Sequence, residues 1–481
     1  MDKILDFLKK CWQLREIKFL KPIADIAKYI YGTIPLPIRY GREFKNMYNF
    51  LKKSQWWDKE KLEEYQMQQL KKLLNHAYEN VPYYRRVFDE RGLKPKYIQD
   101  FDDFRKLPFS TKDIVRENLN DLISKNIPKE DMEYVTTGGT SGKPLGFYIE
   151  KRTNLIRMAF EWREWNWMGY KFGNRCVVLR GNVIKRKEWG EPAWWEYDRG
   201  NNYLILSVYD MTDKNLPEYI RKIEEFKPKA IQAYPSALDI MARFIKENNL
   251  TVNAKGNIKA ISTSSENLFP YQRLLIEDVF NCPIIDKLGN CEQTNIAGQC
   301  MKTEGYHIFM EYGITELIGE DGNSICQEEQ TGEIVGTGFT NYAVPLIRYR
   351  TEDFGVYTNK QCSCGRNGLP LLREVKGRWY QERIVTRNGN YIPITALNTH
   401  SDIFDNVKQF QYYQDSLNKV ILRIVKKDTY TVTDTQKILR ELKGKFKNQI
   451  KLEIQFLTEI PRTDRGKYKF LVQKLPIKVG D

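Results

Sequence analysis

The chain has 481 residues, 41% of them hydrophobic and 13% aromatic, enough for a large buried core with a smaller one beside it, which excludes a disordered protein. With 77 basic against 62 acidic residues the net charge is +15, a field that attracts nucleotides, acidic sugars and anionic headgroups; the short, scattered basic runs carry no nucleic-acid-binding signature. Eight cysteines in so long a chain make no disulfide framework, no run reaches the ~20 apolar residues of a bilayer span, and MDKILDFLKK lacks the apolar centre of a secretory leader, so the expectation is a cytoplasmic protein with reduced thiols.

Residues 1–100 are expected to be mainly helical. At the amino end Ile4, Leu5, Leu8, Leu14, Ile17 and Leu20 are interleaved with lysines. A helix packed on the body is the first reading, and a basic helix in peripheral contact with the inner face of a membrane is the second. In WWDKEKLEEYQMQQLKKLLNHAYENV, Leu62, Tyr65, Leu70, Leu73, Leu74 and Ala77 recur at helical spacing, and Pro82 ends that helix. From about 130 to 350, strand-like runs (CVVLRG, YLILSV, KAIQAY, IKAIST, PIIDKLG) alternate with helical patterns (DKNLPEYIRKIEEF, SALDIMARFIKENN, PYQRLLIEDVF). Alternation of that kind predicts a mostly parallel or mixed sheet covered by helices. The segment 332–358 (GEIVGTGF, PLIRYR, FGVYT) reads as purely β. Beyond 377, KQFQYYQ, KVILRIV and KLEIQFL surround a helix containing DTQKILRELKGKF, the make-up of a small α+β unit. The fold class is therefore α/β: a large amino-terminal domain of mixed sheets covered by helices, residues 1–376, and a small α+β domain, residues 377–481.

The most informative stretch is YVTTGGTSGKPLGFY. Thr136, Thr137, Gly138, Gly139, Thr140, Ser141, Gly142 and Lys143 follow one another without interruption. Glycines let backbone N–H groups close on an anion, hydroxyls donate further hydrogen bonds, and the lysine adds charge, a composition suited to a polyphosphate. It is not a Walker A loop, because only three residues separate Gly138 from Gly142 and Pro144 follows Lys143. Strand propensity on both sides predicts a strand–loop–strand clamp.

With these ordered motifs the sequence resembles the adenylate-forming superfamily, and within it the phenylacetate–CoA ligase-like and CapK-like branch. The resemblance runs from the WW…HAYENVPYYRRVF segment to the carboxyl end. It implies that ATP activates a small carboxylic acid as an acyl-adenylate, and that the small domain then moves so that an amine or a thiol takes the acyl group. LGNCEQT places Glu292 at the family's magnesium-binding glutamate, with Leu288 where an aromatic ring usually packs on adenine and Cys291 where a hydroxyl is expected. STSSEN makes Ser265, Glu266 and Asn267 the implied adenine contacts; AYPSAL makes Tyr234 and Pro235 walls of the acid pocket. In PLIRYRTEDFG, Asp353 is the implied acceptor of the ribose hydroxyls. In KGRWYQERI, Arg378 matches the hinge arginine while Gln381 and Glu382 stand near the pivot. IPRTDRGKYKF makes Lys467 the implied catalytic lysine.

Cys300 and His307, separated by six residues, and the Cys362-Ser363-Cys364-Gly365 knuckle are a candidate structural zinc site of three thiolates and one imidazole; with only three histidines in the chain, that company is unusual. Members of the same branch carry a similar arrangement. Cys11, Cys176, Cys282 and Cys326 read as ordinary small apolar residues. The functional expectation is an AMP-forming acid ligase using ATP, magnesium and structural zinc. The acceptor is an amine, in surface-polysaccharide assembly; CoA, as for an aryl-acid ligase, is the alternative, and a catalytically idle nucleotide-binding homologue is the third reading.

Overall fold

The computed structural model describes residues 26–27, 30–34, 36–137, 145–182, 184, 194–252, 257–266, 268–376, 383–387, 391–393, 397, 402–446, 449–460 and 471–475. After a short helical turn at Leu36–Arg39 come helices α1 (Gly41–Ser54), α2 (Lys59–Asn80) and α3 (Pro82–Glu90). The Asp58 carboxylate caps α2 by accepting from the Lys61 N–H at 2.8 Å, and Leu62, Leu70, Leu73, Leu74 and Ala77 form its buried stripe. Pro82 does more than end α2. It also opens α3 in the first turn, where a missing N–H has no partner to lose.

A two-stranded hairpin follows, β1 (Met132–Thr136) antiparallel to β2 (Gly146–Glu150), then helix α4 (Lys151–Trp167). The main sheet has twelve strands. Its first half holds β3 (Cys176–Arg180), β4 (Trp195–Asp198), β5 (Tyr203–Ser207), β6 (Ala230–Ala233), β7 (Ala260–Ser264) and β8 (Ile284–Gly289). In this half β5, β3, β6, β7 and β8 run parallel, with β4 antiparallel at the edge. Helices α5 (Leu216–Phe226), α6 (Pro235–Glu247) and α7 (Pro270–Phe280) cover one face, against Val177, Leu179, Ile231, Ile261 and Ile284. On the other face Ala230 and Ala260 are small, leaving room for Phe160, Trp162 and Trp165 of α4. Helix α4 is enclosed on several sides and buries a sealed ion pair: Arg163 and Glu311, 2.7 Å apart, expose 1% and 0% of their side chains. The Ser54 hydroxyl adds a hydrogen bond of 2.6 Å to the same carboxylate.

The second half is antiparallel: β9 (Ile296–Cys300), β10 (Thr303–Ile308), β11 (Gly313–Ile318), β12 (Thr331–Gly338), β13 (Tyr349–Tyr357) and β14 (Leu371–Lys376), in the order β8-β9-β10-β14-β13-β12-β11. PLIRYR departs from the expected strand. Residues 345–348 lie outside any strand, with a bend at 347–348, and β13 begins only at Tyr349. The reason is Arg348, buried with a left-handed φ of 45°; its guanidinium donates to both Glu316 oxygens at 3.1 and 2.9 Å and to the Leu107 carbonyl at 2.6 Å. Such a buried guanidinium must use its donors, and the chain bends to let it.

After β15 (Arg383–Val385) and β16 (Tyr391–Pro393), a second sheet is built from β17 (Val407–Ser416), β18 (Lys419–Lys426), β19 (Lys451–Phe456) and β20 (Leu471–Gln473), in the order β19-β18-β17-β20, with α8 (Val432–Phe446) between β18 and β19. Val420, Leu422 and Ile424 alternate inward, and their apolar cluster is continuous with the one under α5–α7. The Gln449 amide donates to the Tyr209 carbonyl at 2.5 Å across that seam. Among the described residues no helix is long and apolar enough to cross a membrane; the amphipathic amino-terminal stretch lies outside them.

Candidate functional site

Parallel strands of an open α/β sheet leave a crevice beyond their carboxyl ends, and four candidate segments end there. Strand β3 ends at Arg180, β6 runs into Tyr234, β7 into Ser264-Ser265-Glu266, and β8 into the 290–292 turn. Register places them side by side: Leu179 pairs with Ala233, Ala233 with Thr263 and Ser264 with Lys287. The Tyr234 N–H donates to the Leu179 carbonyl at 3.1 Å, and Pro235 opens α6 directly behind it. Burial pushes the Tyr234 hydroxyl up, with the Arg180 guanidinium opposing and Glu266 adding to the rise, so these three side chains share one environment. Arg180 donates to the Ser264 hydroxyl. Sequence reasoning missed Arg180, whose signal was a cation ending an apolar strand. Asn267 lies outside the described residues.

Glu292 is nearly buried, and one of its oxygens accepts from the Tyr349 hydroxyl at 3.0 Å, so β13 fixes its direction. The turn before it is held by Asn290, whose amide donates to the Thr294 hydroxyl at 2.6 Å and the Asn295 side chain at 2.8 Å. Burial pushes the Cys291 thiol up to about 12, with the Glu292 charge adding to the effect, so it is a neutral packing group at pH 7. Leu288 packs against the Tyr306–Leu317–Ile334 cluster. Asp353 sits on the strand that carries Tyr349, its N–H bonded to the Thr351 hydroxyl at 3.1 Å.

Backbone strain marks the same segments. Ser265, Gln293, Arg348 and Glu352 hold φ of 69°, 60°, 45° and 63°, each a candidate residue or the neighbour of Glu292, Tyr349 or Asp353. Each left-handed non-glycine residue costs about 1–3 kcal/mol and persists only where its surroundings impose it. One imposing contact is visible: a Cβ on Gly338 would strike the Gln293 carbonyl, and one on Gly336 would meet the Thr294 side chain. The glycines of β12 therefore let the Glu292 turn lie directly on the sheet. Gly338→Ala is expected to cost about 1–3 kcal/mol in thermal or denaturant unfolding through overpacking and to displace Gln293. Unchanged unfolding would show that the turn does not rest there.

The hydroxyl-rich loop springs from the β1–β2 hairpin. Its neck is pinched by Thr137, whose N–H donates to the Leu145 carbonyl at 2.8 Å and whose hydroxyl accepts the Leu145 N–H at 3.1 Å. Thr136 is buried at the end of β1. Gly138, Gly139, Thr140, Ser141, Gly142 and Lys143 lie outside the described residues, as do Arg378 and Lys467.

Cys300, His307, Cys362 and Cys364 converge, their ligand atoms all within 4.8 Å of one another. Cys300 ends β9, His307 lies in β10, and both cysteines of the knuckle lie between β13 and β14, which the His307–Leu371 pairing brings alongside. The Cys300 and Cys362 sulfurs are 3.6 Å apart, and Cys364 Sγ is 3.5 Å from His307 Nε2. Tetrahedral zinc, with bonds of about 2.3 Å to sulfur and about 2.0–2.1 Å to nitrogen, requires edges of about 3.8 and about 3.6 Å. These two pairs stand close to those edges, and all four donors lie within 4.8 Å of one another. Burial, reinforced by Arg366 and Arg163, lowers the His307 pKa to about 4, which keeps the imidazole neutral, as a ligand must be.

Residues 384–474 match the family described as the CapK C-terminal domain. Protein CapK of Staphylococcus aureus is 25% identical over 422 residues, 86% of this chain and 89% of that one. A phenylacetate-coenzyme A ligase of Thermus thermophilus is 24% identical over 339 residues, 70% of this chain and 74% of that one. A solved 2-hydroxyisobutyryl-CoA ligase, in complex with 2-HIB-AMP and CoA in the thioesterification state, matches with a TM-score of 0.58 at 18% identity, over 88% of this chain and 91% of that one; this is a likeness of fold.

Proposed function

We propose, for a chain that belongs to the adenylate-forming superfamily and its phenylacetate–CoA ligase-like and CapK-like branch, that it activates a carboxylic acid with ATP as an acyl-adenylate and then transfers the acyl group. One observation carries the reading. Tyr234, Ser265, Glu266 and a Tyr349-anchored Glu292 all follow the carboxyl ends of neighbouring parallel strands.

A carboxylate is a poor electrophile because its leaving group would be oxide. In the proposed step a carboxylate oxygen bonds to the α-phosphorus, the bond to the bridging oxygen breaks, and the electron pair leaves with pyrophosphate. No proton moves. Both reactants are anionic, so charge neutralisation and in-line placement supply the rate. The 136–143 loop holds the outer phosphates, Ser265, Glu266 and Asn267 seat the base, Asp353 and Arg378 hold the ribose and α-phosphate, and Tyr234 and Pro235 line the acid. Glu292 offers the hard oxygen that magnesium prefers, and the ion, when bound, neutralises phosphate charge. Residues 377–481 carry Lys467 to the α-phosphate as a mobile unit. We assign the Cys300–His307–Cys362–Cys364 cluster to structural zinc.

The acceptor attacks the acyl carbonyl and AMP departs. CoA is the acceptor named for the phenylacetate ligase and present with the 2-hydroxyisobutyryl-CoA ligase; the amine acceptor of a polysaccharide-building ligase is the reading retained beside it because CapK matches over most of the chain. Supplying each to preformed acyl-adenylate and following AMP release separates the two.

The test of the first half-reaction is acid-dependent ATP–pyrophosphate exchange. Glu292→Gln keeps the acceptor for Tyr349 but removes the charge. It is expected to lower exchange by at least about 10–100-fold, the loss that follows removal of even an outer-shell partner of a metal ligand, with unfolding unchanged. Exchange at the wild-type rate would remove Glu292 from the metal site.

A further inference from the structure

Helix α4 carries a second group of charges besides its sealed ion pair. Arg157, Glu161 and Glu164 fall four and three residues apart, on one face. Arg157 Nη1 lies 3.0 Å from Glu161 Oε1, and Lys287 of β8 lies 3.3 Å from Glu161 Oε2. Lys287 pairs with Ser264, which accepts from Arg180, so the sheet edge presents two cations to the helix. Solvent separates this cluster from the neighbouring ion pair. Arg163 and Glu311 expose 1% and 0% of their side chains, whereas Arg157 exposes 38%, Glu161 13% and Lys287 10%. This partial exposure leaves the cluster reachable at the strand ends that bear Tyr234 and the Glu292 turn.

The charges there do not balance. Burial alone would raise the Glu161 carboxyl, but Lys287, Arg157 and Arg180 overcome it and hold it at about 2. Burial drives Glu164 up to about 8, and neither of its oxygens has a hydrogen-bond partner among the described residues, so it stays protonated at pH 7. Three cations therefore face two carboxylates, Glu161 among them and Glu266 in the environment that Arg180 shares with Tyr234. A cluster serving packing alone would be expected to reach neutrality, since each uncompensated charge drawn from water is costly.

We propose that Arg157, Arg180 and Lys287 form the inner end of the acid pocket and select a carboxylic acid that carries a second anionic group. The inference rests on the acid-activating reading above. The reacting carboxylate lies beside Glu292, and the second anion of the same molecule reaches the cations deeper against α4. A neutral aryl acid would leave them unanswered.

ATP–pyrophosphate exchange with the full-length protein tests it, using succinate, glutarate, adipate and a hexarate against the monoamides of the same diacids and phenylacetate. At least one diacid is expected to exceed its own monoamide tenfold or more in kcat/KM. R180Q is expected to lower that diacid's kcat/KM tenfold or more through KM, with the KM for MgATP unchanged, a split that a merely structural role would not produce. If R180Q fails to fold, the wild-type comparison decides alone. Exchange with phenylacetate or the monoamides at rates equal to or above the diacids overturns the charge selection and leaves acid activation standing. No exchange with any of these acids overturns both.

Discussion

Lys467→Ala is expected to reduce acid-dependent ATP–pyrophosphate exchange by about 10²–10³-fold, the loss seen when one preorganised donor to a developing charge is removed, while leaving transfer from preformed acyl-adenylate largely intact. Adenylation brings a carboxylate onto a polyphosphate, and the lysine's charge is needed only while that repulsion must be overcome. Transfer breaks a mixed anhydride whose leaving group is AMP and makes no such demand. In sequence Lys467 falls between Ile460, which is buried, and Leu471, which begins β20 parallel to Tyr412 of β17. A reorientation of that small sheet against the large domain has to break the seam where Gln449 meets Tyr209. Single-turnover measurements of the two half-reactions check this. Equal loss in both would remove Lys467 from its proposed role.

The parallel half of the main sheet was legible because CVVLR, AIQA and AISTS are apolar runs bounded by helical periodicity. The antiparallel half was legible only at β12 and the end of β13, through GEIVGTGF and FGVYT. IAGQC, TEGYHI and LLREVK mix glycine, polar and charged residues, because β9, β10 and β14 bury polar side chains such as Gln299 and His307 that the alternation rule assigns to solvent. Glu292 could be singled out only through LGNCEQT; the Tyr349 hydroxyl that aims it is 57 residues away in sequence. Arg157, Arg180 and Lys287 each read alone as an ordinary basic residue of a helix or strand. Their meaning comes from strand register and from the packing of α4 on the sheet, which gather three distant cations about Glu161 and which no local pattern contains.

The cysteine cluster sits at the opposite extreme, since rare residue types made it visible before any fold was known, and it yields the second large effect. Purified protein is expected to hold close to one zinc per chain, and Cys364→Ser to lose it together with several kcal/mol of stability. Structural zinc binding is worth about 10–16 kcal/mol in isolated zinc-binding peptides; here a preformed sheet already positions the donors, so part of that stability survives the metal's loss. What fails first is local. Zinc would tie the end of β9 to the β13–β14 connection, next to Trp167 of α4, so its removal loosens one end of α4 and the antiparallel strands before the parallel half. Metal analysis and amide exchange of chelator-treated protein read this directly: protection is expected to fall in β9, β10 and β14 while β6 and β7 keep theirs. The rival is a disulfide between Cys300 and Cys362, but sulfurs 3.6 Å apart stand well beyond the ~2.05 Å of that bond. Metal-free protein with two fewer titratable thiols would establish the disulfide instead and end the zinc assignment.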